Sequence, residues 1–101
     1  MAISVVLKDR SGKVVMRLTR PYIPLVSWVD RAEYPILGHV DPYGNTIYNR
    51  GQMETLTAEL ERVWRVSIDA DDGAKAAIDG LRDVCAEGLK RPHRYLWFLG
   101  D

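Results

Sequence analysis

The segment formed by residues 95–99, Tyr-Leu-Trp-Phe-Leu, is apolar at every position. A half-buried strand alternates apolar and polar side chains, whereas this segment has no polar side to present to water. A strand edge this hydrophobic would favour aggregation if it were exposed. The segment therefore predicts an interior strand, in the middle of a sheet or beneath a helix.

Two stretches upstream have the spacing of amphipathic helices that could cover such a sheet. Over about residues 50–65, apolar side chains recur every three or four positions, at Met53, Leu56, Leu60, Val63 and Trp64. A second helix is predicted to begin after Asp71 as N-cap and to stop before Pro92. Its apolar face comprises Ala74, Ala77, Ile78, Leu81, Val84, Cys85 and Leu89.

Strand patterns and turn residues predict two β-hairpins in the first half of the chain. Residues 2–7 and 14–18 are rich in β-branched side chains, and residues 9–12 between them favour a turn. The second hairpin is predicted to join residues 36–40 to 45–48. Its turn begins at Asp41, followed by Pro42 and closed by Gly44.

These patterns together predict a single α+β domain over residues 1–101. We expect two β-hairpins, two antiparallel helices on one face of a mainly antiparallel sheet, and a central C-terminal strand. A length of 101 residues, with 47% hydrophobic and 28% charged content, is ordinary for one globular domain. Asn49 and Gln52 have the spacing of a reciprocal cap at the start of the first helix.

The charge balance, the length of the uncharged runs and the single cysteine narrow the expected partners and location of the chain. Fourteen basic residues balance fourteen acidic ones, so the global field does not predict binding to nucleic acid or to an anionic membrane. The longest uncharged run, residues 21–29, is about half of the roughly 20 residues that a spanning helix needs. A single cysteine fits a reducing compartment, so a cytoplasmic location is expected.

The helical half of the chain carries an excess of acidic residues. Residues 54–87 contain nine acidic and four basic side chains. Four of these acids lie opposite the apolar face of the second helix, namely Asp72, Asp79, Asp83 and Glu87. Their mutual repulsion would be relieved by a protein partner with a basic surface. The alternative interpretation is an ordinary solvated helix face.

Polar and aromatic residues also gather around the predicted second turn, at His39, Asp41, Tyr43, Asn45 and Tyr48. A histidine beside a carboxylate can act as an acid–base pair, so a small enzyme or ligand-binding domain would have its pocket near His39, Asp41 and Tyr43. No serine or cysteine nucleophile and no second histidine has the spacing of a triad or a zinc site. We therefore predict no metal, no cofactor and no catalytic residue.

Two further side chains have simpler expectations. Cys85 lies on the apolar face of its helix, where a buried thiol has a raised pKa and is inert. Trp28 lies in the proline-flanked segment 20–35 and is a candidate contact residue. A structural homodimer, formed through the first hairpin or the Trp28 segment, is a further alternative.

The residues around the second turn also carry a resemblance. Residues 37–49, Leu-Gly-His-Val-Asp-Pro-Tyr-Gly-Asn-Thr-Ile-Tyr-Asn, together with Gln52, Met53 and the final residues 95–101, resemble a group of small bacterial proteins of about this length. No activity is assigned to that group, so no catalytic residue carries over. Its compact intracellular character is similar to that of immunity proteins, which neutralise a toxin by covering its working surface. Our first hypothesis is therefore a non-enzymatic, immunity-like interaction module. It would present either the acidic helix face or the Asp41 hairpin, with Tyr43 and Asn45, to a protein partner.

Overall fold

The C-terminal strand occupies the interior of the sheet, as its apolar sequence predicts. A computed structural model describes residues 3–18, 30–66 and 72–100. Its four strands are β1 (Ser4–Asp9), β2 (Val14–Arg17), β3 (Asn45–Tyr48) and β4 (Arg94–Leu99). They form one antiparallel sheet in the order β2-β1-β4-β3, so β4 lies between β1 and β3.

Two long helices confirm the predicted helical half of the chain. They are α2 (Arg50–Val66) and α3 (Asp72–Leu89), preceded by a short helix α1 (Pro35–Gly38). Gly88 of α3 lies beside Met53 of α2, and Arg82 of α3 lies 3.5 Å from Glu61 of α2. Residues later in α2 contact residues earlier in α3, so the two helices are antiparallel. The predicted N-cap Asp71 lies outside the described residues.

Both helices pack against one face of the sheet, which confirms the α+β class. Leu96 and Phe98 of β4 are fully buried on that face, opposite Leu7 and Val5 of β1. Gly88 allows α3 to approach α2 closely, because a Cβ at this position would lie 2.7 Å from the sulfur of Met53 in α2. The opposite face of the sheet carries Trp97, which pairs with Val6 and Ile47.

The first hairpin is present, and its turn is held by an aspartate. Asp9 Oδ1 accepts hydrogen bonds from the Ser11 amide at 2.9 Å, the Ser11 hydroxyl at 2.6 Å and the Lys13 amide at 3.0 Å. The Ser11 hydroxyl in particular holds the pKa of Asp9 below its usual value. Gly12 adopts a φ of 88°, which is open to glycine without steric cost.

The reciprocal cap predicted for the first long helix is also confirmed. The Asn49 amide donates to Gln52 Oε1 at 2.9 Å, and the Gln52 amide donates to Asn49 Oδ1 at 3.0 Å. Two amides that the helix itself leaves unbonded are thereby satisfied. The start of α2 follows from this local sequence pattern.

The second predicted hairpin is wrong in its first arm. Residues 36–40 do not form a strand; residues 35–38 form α1, and β3 pairs with β4 alone. The turn at Asp41 is real, since Asp41 Oδ1 accepts the Tyr43 amide at 2.9 Å. It connects a helix to a strand, and it does not join two paired strands.

A contact from a distant part of the chain explains this difference. Glu59 of α2 is 1% exposed, and its two carboxylate oxygens accept the amides of Ile36 at 3.0 Å and Leu37 at 2.8 Å. Pro35 stands at the start of α1, where its missing N–H costs nothing. The tertiary contact therefore decides between strand and helix for a short apolar run whose own pattern fits either one.

Candidate functional site

Three neighbouring clefts at one end of the sheet all have His93 in their lining. The first has a volume of about 530 Å³ and is lined by Lys8, Asp9, Arg10, Gly12, Ile47, His93, Tyr95 and Trp97. The second lies at the start of α2, and the third lies beside the β1–β2 turn. We call this region, with its three clefts, the basic end.

Strand pairing and helix position bring these segments together. Asp9, the last residue of β1, pairs with Arg94, the first residue of β4. The β1–β2 turn therefore lies beside the segment that leads into β4. The start of α2 joins them through Arg50, whose guanidinium donates to the carbonyl of Arg91 at 3.2 Å. Three segments that are far apart in sequence thus form one surface.

The basic end carries a surplus of positive charge although the whole chain has none. Its lining contains five cationic side chains, Lys8, Arg10, Arg50, Arg91 and Arg94. Asp9 is the acidic residue of the same lining, and its carboxylate is engaged by Ser11 and Lys13. An anionic group that approached this surface would be attracted by the unbalanced cations.

The five cations differ in how far they are already neutralised. Arg94 donates to the Glu87 carbonyl at 2.6 Å and lies 3.4 Å from the Glu87 carboxylate. Arg50 lies 3.9 Å from Glu54. Within the described ranges, neither Arg10 nor Arg91 belongs to an ion pair, and both are exposed. These two guanidinium groups are the ones available to a ligand.

The lining of the first cleft includes aromatic and apolar side chains beside its cations. The Lys8 ammonium lies 4.4 Å from the centroid of the Trp97 ring. Ile47, which pairs with Trp97 across β3 and β4, is 47% exposed. Large aromatic side chains beside cations are typical of surfaces that bind other proteins. The cleft therefore combines charge attraction with apolar area that a partner can bury.

His93 holds an uncommon backbone conformation in the lining of all three clefts. Its φ is 62°, in the left-handed region, where a residue with a Cβ loses roughly 1–2 kcal/mol. Strained non-glycine residues of this kind cluster at functional sites, which makes the observation a pointer to function.

The acidic helix face predicted from the sequence is partly neutralised by the chain itself. Asp79 lies 3.6 Å from Arg82, and Glu87 lies 2.8 Å from Lys90. Among the described side chains, Asp83 of this face belongs to no ion pair and is exposed. A shallow cleft beside it is lined by Thr57, Glu61, Asp79, Arg82, Asp83 and Ala86. The side chain of Asp72 lies outside the described residues.

In the described part of the chain, the residues around the Asp41 turn are held by separate backbone contacts. The His39 Nδ1 lies 2.6 Å from the Pro35 carbonyl, whereas the Asp41 carboxylate bonds the Tyr43 amide. Tyr43 is 70% exposed, and Asn45 is exposed on β3. The histidine and the aspartate are thus each engaged by backbone, and none of these residues lines the clefts of the basic end. Trp28 lies outside the described residues.

The Cys85 thiol has the buried position that the sequence predicted. Cys85 is fully buried, and burial raises the pKa of its thiol to about 12. Within residues 3–18, 30–66 and 72–100, no cluster of three histidine, cysteine or acidic side chains could hold a metal ion. No helix in the same ranges combines the length and apolar character needed to cross a membrane.

Sequence reasoning missed the basic end because its cations come from separate segments. Lys8 and Arg10 lie near the first turn, Arg50 opens α2, and Arg91 and Arg94 flank the start of β4. The predicted central position of β4 could have indicated the basic end, because the last residue of a strand that pairs antiparallel with β4 lies beside Arg94.

Comparison with protein-family models, with curated proteins and with solved structures gives no match for this chain. The geometry of the described residues therefore carries the functional argument.

Proposed function

We propose that the chain is a cytoplasmic, non-enzymatic protein-interaction module that binds a negatively charged protein surface through the basic end. The observation that supports this proposal is a pair of exposed guanidinium groups in adjoining clefts. Arg10 lines the first cleft together with Trp97, and Arg91 lines the third cleft together with Arg10. An acidic partner would neutralise these cations and bury the apolar area around Ile47 and Trp97. One form of this function is neutralisation of a toxin, the role of the immunity proteins that the sequence suggests.

The basic end is a better candidate than the acidic helix face. Asp79 and Glu87 already interact with Arg82, Lys90 and Arg94, so a basic partner would have to replace contacts that exist in the free chain. Arg10 and Arg91 have no such contacts to lose within the described ranges. The acidic face has one described acid that is exposed and without an ion pair, Asp83, whereas the basic end has two such cations.

The experiment compares two matched double variants. The first, Arg10→Gln with Arg91→Gln, neutralises the basic end, and the second, Arg31→Gln with Arg65→Gln, neutralises two exposed arginines outside the three clefts. The wild-type chain is used to capture a partner from an extract of its organism, and the partner is then produced pure. Light scattering measures the stoichiometry, and surface plasmon resonance measures association.

We expect a one-to-one complex whose association rate at low salt falls about tenfold in the basic-end variant. The control variant should associate within about twofold of the wild type, because its charges lie away from the interface. Equal rates for the two double variants would overturn the assignment of the basic end. A toxin-like reading frame beside the gene would support the immunity-like form of the function.

A further inference from the structure

The two edges of the sheet differ in their protection against pairing with another strand. The β2 edge carries the exposed cation Arg17, and the register of β1 and β2 shifts between Leu7 and Lys8. Charged side chains and bulges are the usual devices that keep an edge from pairing. The β3 edge has neither: residues 44–49, Gly-Asn-Thr-Ile-Tyr-Asn, contain no charged residue and no proline.

The hydrogen bonds of β3 show which of its backbone groups face outward. The Gly100 amide donates to the Gly44 carbonyl at 2.8 Å, so Gly44 and Gly100 form a hydrogen-bonded pair. In an antiparallel ladder such pairs alternate, so Thr46 and Tyr48 bond β4, while Asn45 and Ile47 face the other way. In the described sheet β3 is an outer strand, so the N–H and C=O groups of Asn45 and Ile47 point to its free edge.

This free edge leads directly into the basic end. β3 ends at Tyr48, and the next residues, Asn49 and Arg50, line the second cleft with His93 and Arg94. Ile47 itself lines the first cleft. A strand that paired with β3 in the antiparallel sense would place its N-terminal residues beside Arg50 and His93.

We propose that the protein partner docks an extended segment as a fifth strand, antiparallel to β3, with acidic side chains at the N-terminal end of that segment. This inference rests on the proposed function and specifies how the partner reaches the basic end. The backbone groups of Asn45 and Ile47 supply main-chain hydrogen bonds, and the cations supply selectivity for acidic residues. A nucleic acid has no matching row of backbone amides, so it cannot pair with the free edge of β3 in this way.

The probe is a synthetic eight-residue peptide with a blocked N-terminus, two glutamates and then alternating valine and threonine. Three further probes are a version with two lysines in place of the glutamates, a version N-methylated at alternate residues, and a short oligothymidylate. Binding to the ¹⁵N-labelled full chain is measured from amide chemical shifts and hydrogen exchange. We expect the glutamate peptide to shift and protect the amides of Asn45 and Ile47.

The decisive variant is Ile47→Pro, with Ile47→Val as its matched control. Proline at an outward-facing position of an edge strand removes the N–H that a fifth strand needs and leaves the bonds to β4 in place. Ile47→Val retains the amide and the β-branched side chain. We expect the affinity for the glutamate peptide to fall at least tenfold in Ile47→Pro and to stay within about twofold in Ile47→Val.

The other probes show which part of the inference fails, if one does. Binding of the N-methylated peptide as tight as that of its parent would overturn strand addition without depending on the folding of Ile47→Pro. Equal affinity for the lysine and glutamate peptides would overturn the charge preference. Shifts of the Asn45 and Ile47 amides by oligothymidylate alone, or a wild-type dimer that Ile47→Pro converts to a monomer, would assign the edge to another occupant and overturn the proposal.

A final comparison separates this inference from the proposed function. If the captured protein partner binds Ile47→Pro normally but binds the Arg10→Gln, Arg91→Gln variant slowly, strand addition is wrong and the basic end stands. If the partner binds the Arg10→Gln, Arg91→Gln variant normally but does not bind Ile47→Pro, strand addition is supported and the electrostatic part of the proposed function is wrong. Loss in both variants supports both.

Discussion

Glu59 is a buried charge that has no ion pair in the described part of the chain. Arg10 and Arg91 are exposed charges that also have none there. Glu59 is 1% exposed and accepts two backbone amides of α1. The two arginines lie at the surface. The buried charge is satisfied within the chain and contributes to the fold, whereas the exposed charges remain available to another molecule.

This difference shows how the position of a charge decides its role. Amides aimed at a buried carboxylate replace the water that it loses, and removing the carboxylate would leave those amides unsatisfied. An exposed guanidinium keeps its water, so removing it costs the fold little. We therefore expect substitutions in the two regions to affect different measurements.

The largest effect on stability is expected for Glu59→Ala. The substitution leaves the amides of Ile36 and Leu37 without an acceptor and opens a cavity, so the free energy of unfolding should fall by about 2–4 kcal/mol. Urea denaturation followed by circular dichroism measures it. The control Glu54→Ala removes an exposed carboxylate of the same helix and should cost less than about 0.5 kcal/mol. Similar losses for both variants would mean that the α1 contact contributes little.

Tyr48→Phe tests the second contact that holds α1. The Tyr48 hydroxyl donates a hydrogen bond to the Ile36 carbonyl. Burial raises the pKa of Tyr48 to about 12, with a smaller contribution from the negative charge of Glu59, so the hydroxyl keeps its proton. Its loss should lower the free energy of unfolding by about 1.5 kcal/mol. A double-mutant cycle with Glu59→Ala measures the coupling, and strict additivity would contradict a shared anchor.

Asn49→Ala tests what stabilises the basic end itself. Asn49 caps α2 through reciprocal bonds with Gln52, and loss of such a cap costs about 1 kcal/mol. Asn45→Ala, an exposed asparagine on β3, is the matched control and should lie within about 0.5 kcal/mol of the wild type. Thermal unfolding of the three proteins provides the comparison. An equal loss in both variants would show that the cap is not the cause.

Neutralising the exposed cations should have almost no effect on the fold. The Arg10→Gln, Arg91→Gln variant is expected to unfold within about 0.5 kcal/mol of the wild type, because its side chains are exposed. Urea denaturation of this variant, carried out beside Glu59→Ala, measures how much less an exposed charge contributes to stability than a buried one. A loss as large as that of Glu59→Ala would mean that the basic end is a structural feature, and its role in binding would have to be reconsidered.

The smallest effect is expected in the pH dependence of Glu87. Lys90, together with Arg94, holds the pKa of the Glu87 carboxyl below its usual value. A depressed pKa in the folded state contributes stability that is present above the ordinary value of about 4.3 and is lost as the pH falls through the folded-state pKa. The acid unfolding profile of Glu87→Gln should therefore be shallower in that range. An unchanged profile would show that this contact does not affect stability.

Much of the fold could be predicted from local sequence patterns. The period of Met53, Leu56, Leu60 and Val63 predicted α2 within one residue of its observed end, and Asn49 with Gln52 predicted its start. The uniformly apolar segment 95–99 predicted an interior strand, because its side chains could not remain exposed on either face. These predictions succeed because the determining interactions lie within a few residues along the chain.

Other features were decided by the tertiary structure alone. Residues 35–38 form helix α1, where a strand over residues 36–40 was predicted, because Glu59, more than twenty residues away, accepts the amides of Ile36 and Leu37. The basic end formed because antiparallel pairing placed Asp9 beside Arg94 and because α2 begins next to Arg91. Short-range periodicity and capping in the sequence set where α2 and β4 lie. Only the folded chain determined which distant charges meet, because charge attraction acts through space and not along the sequence.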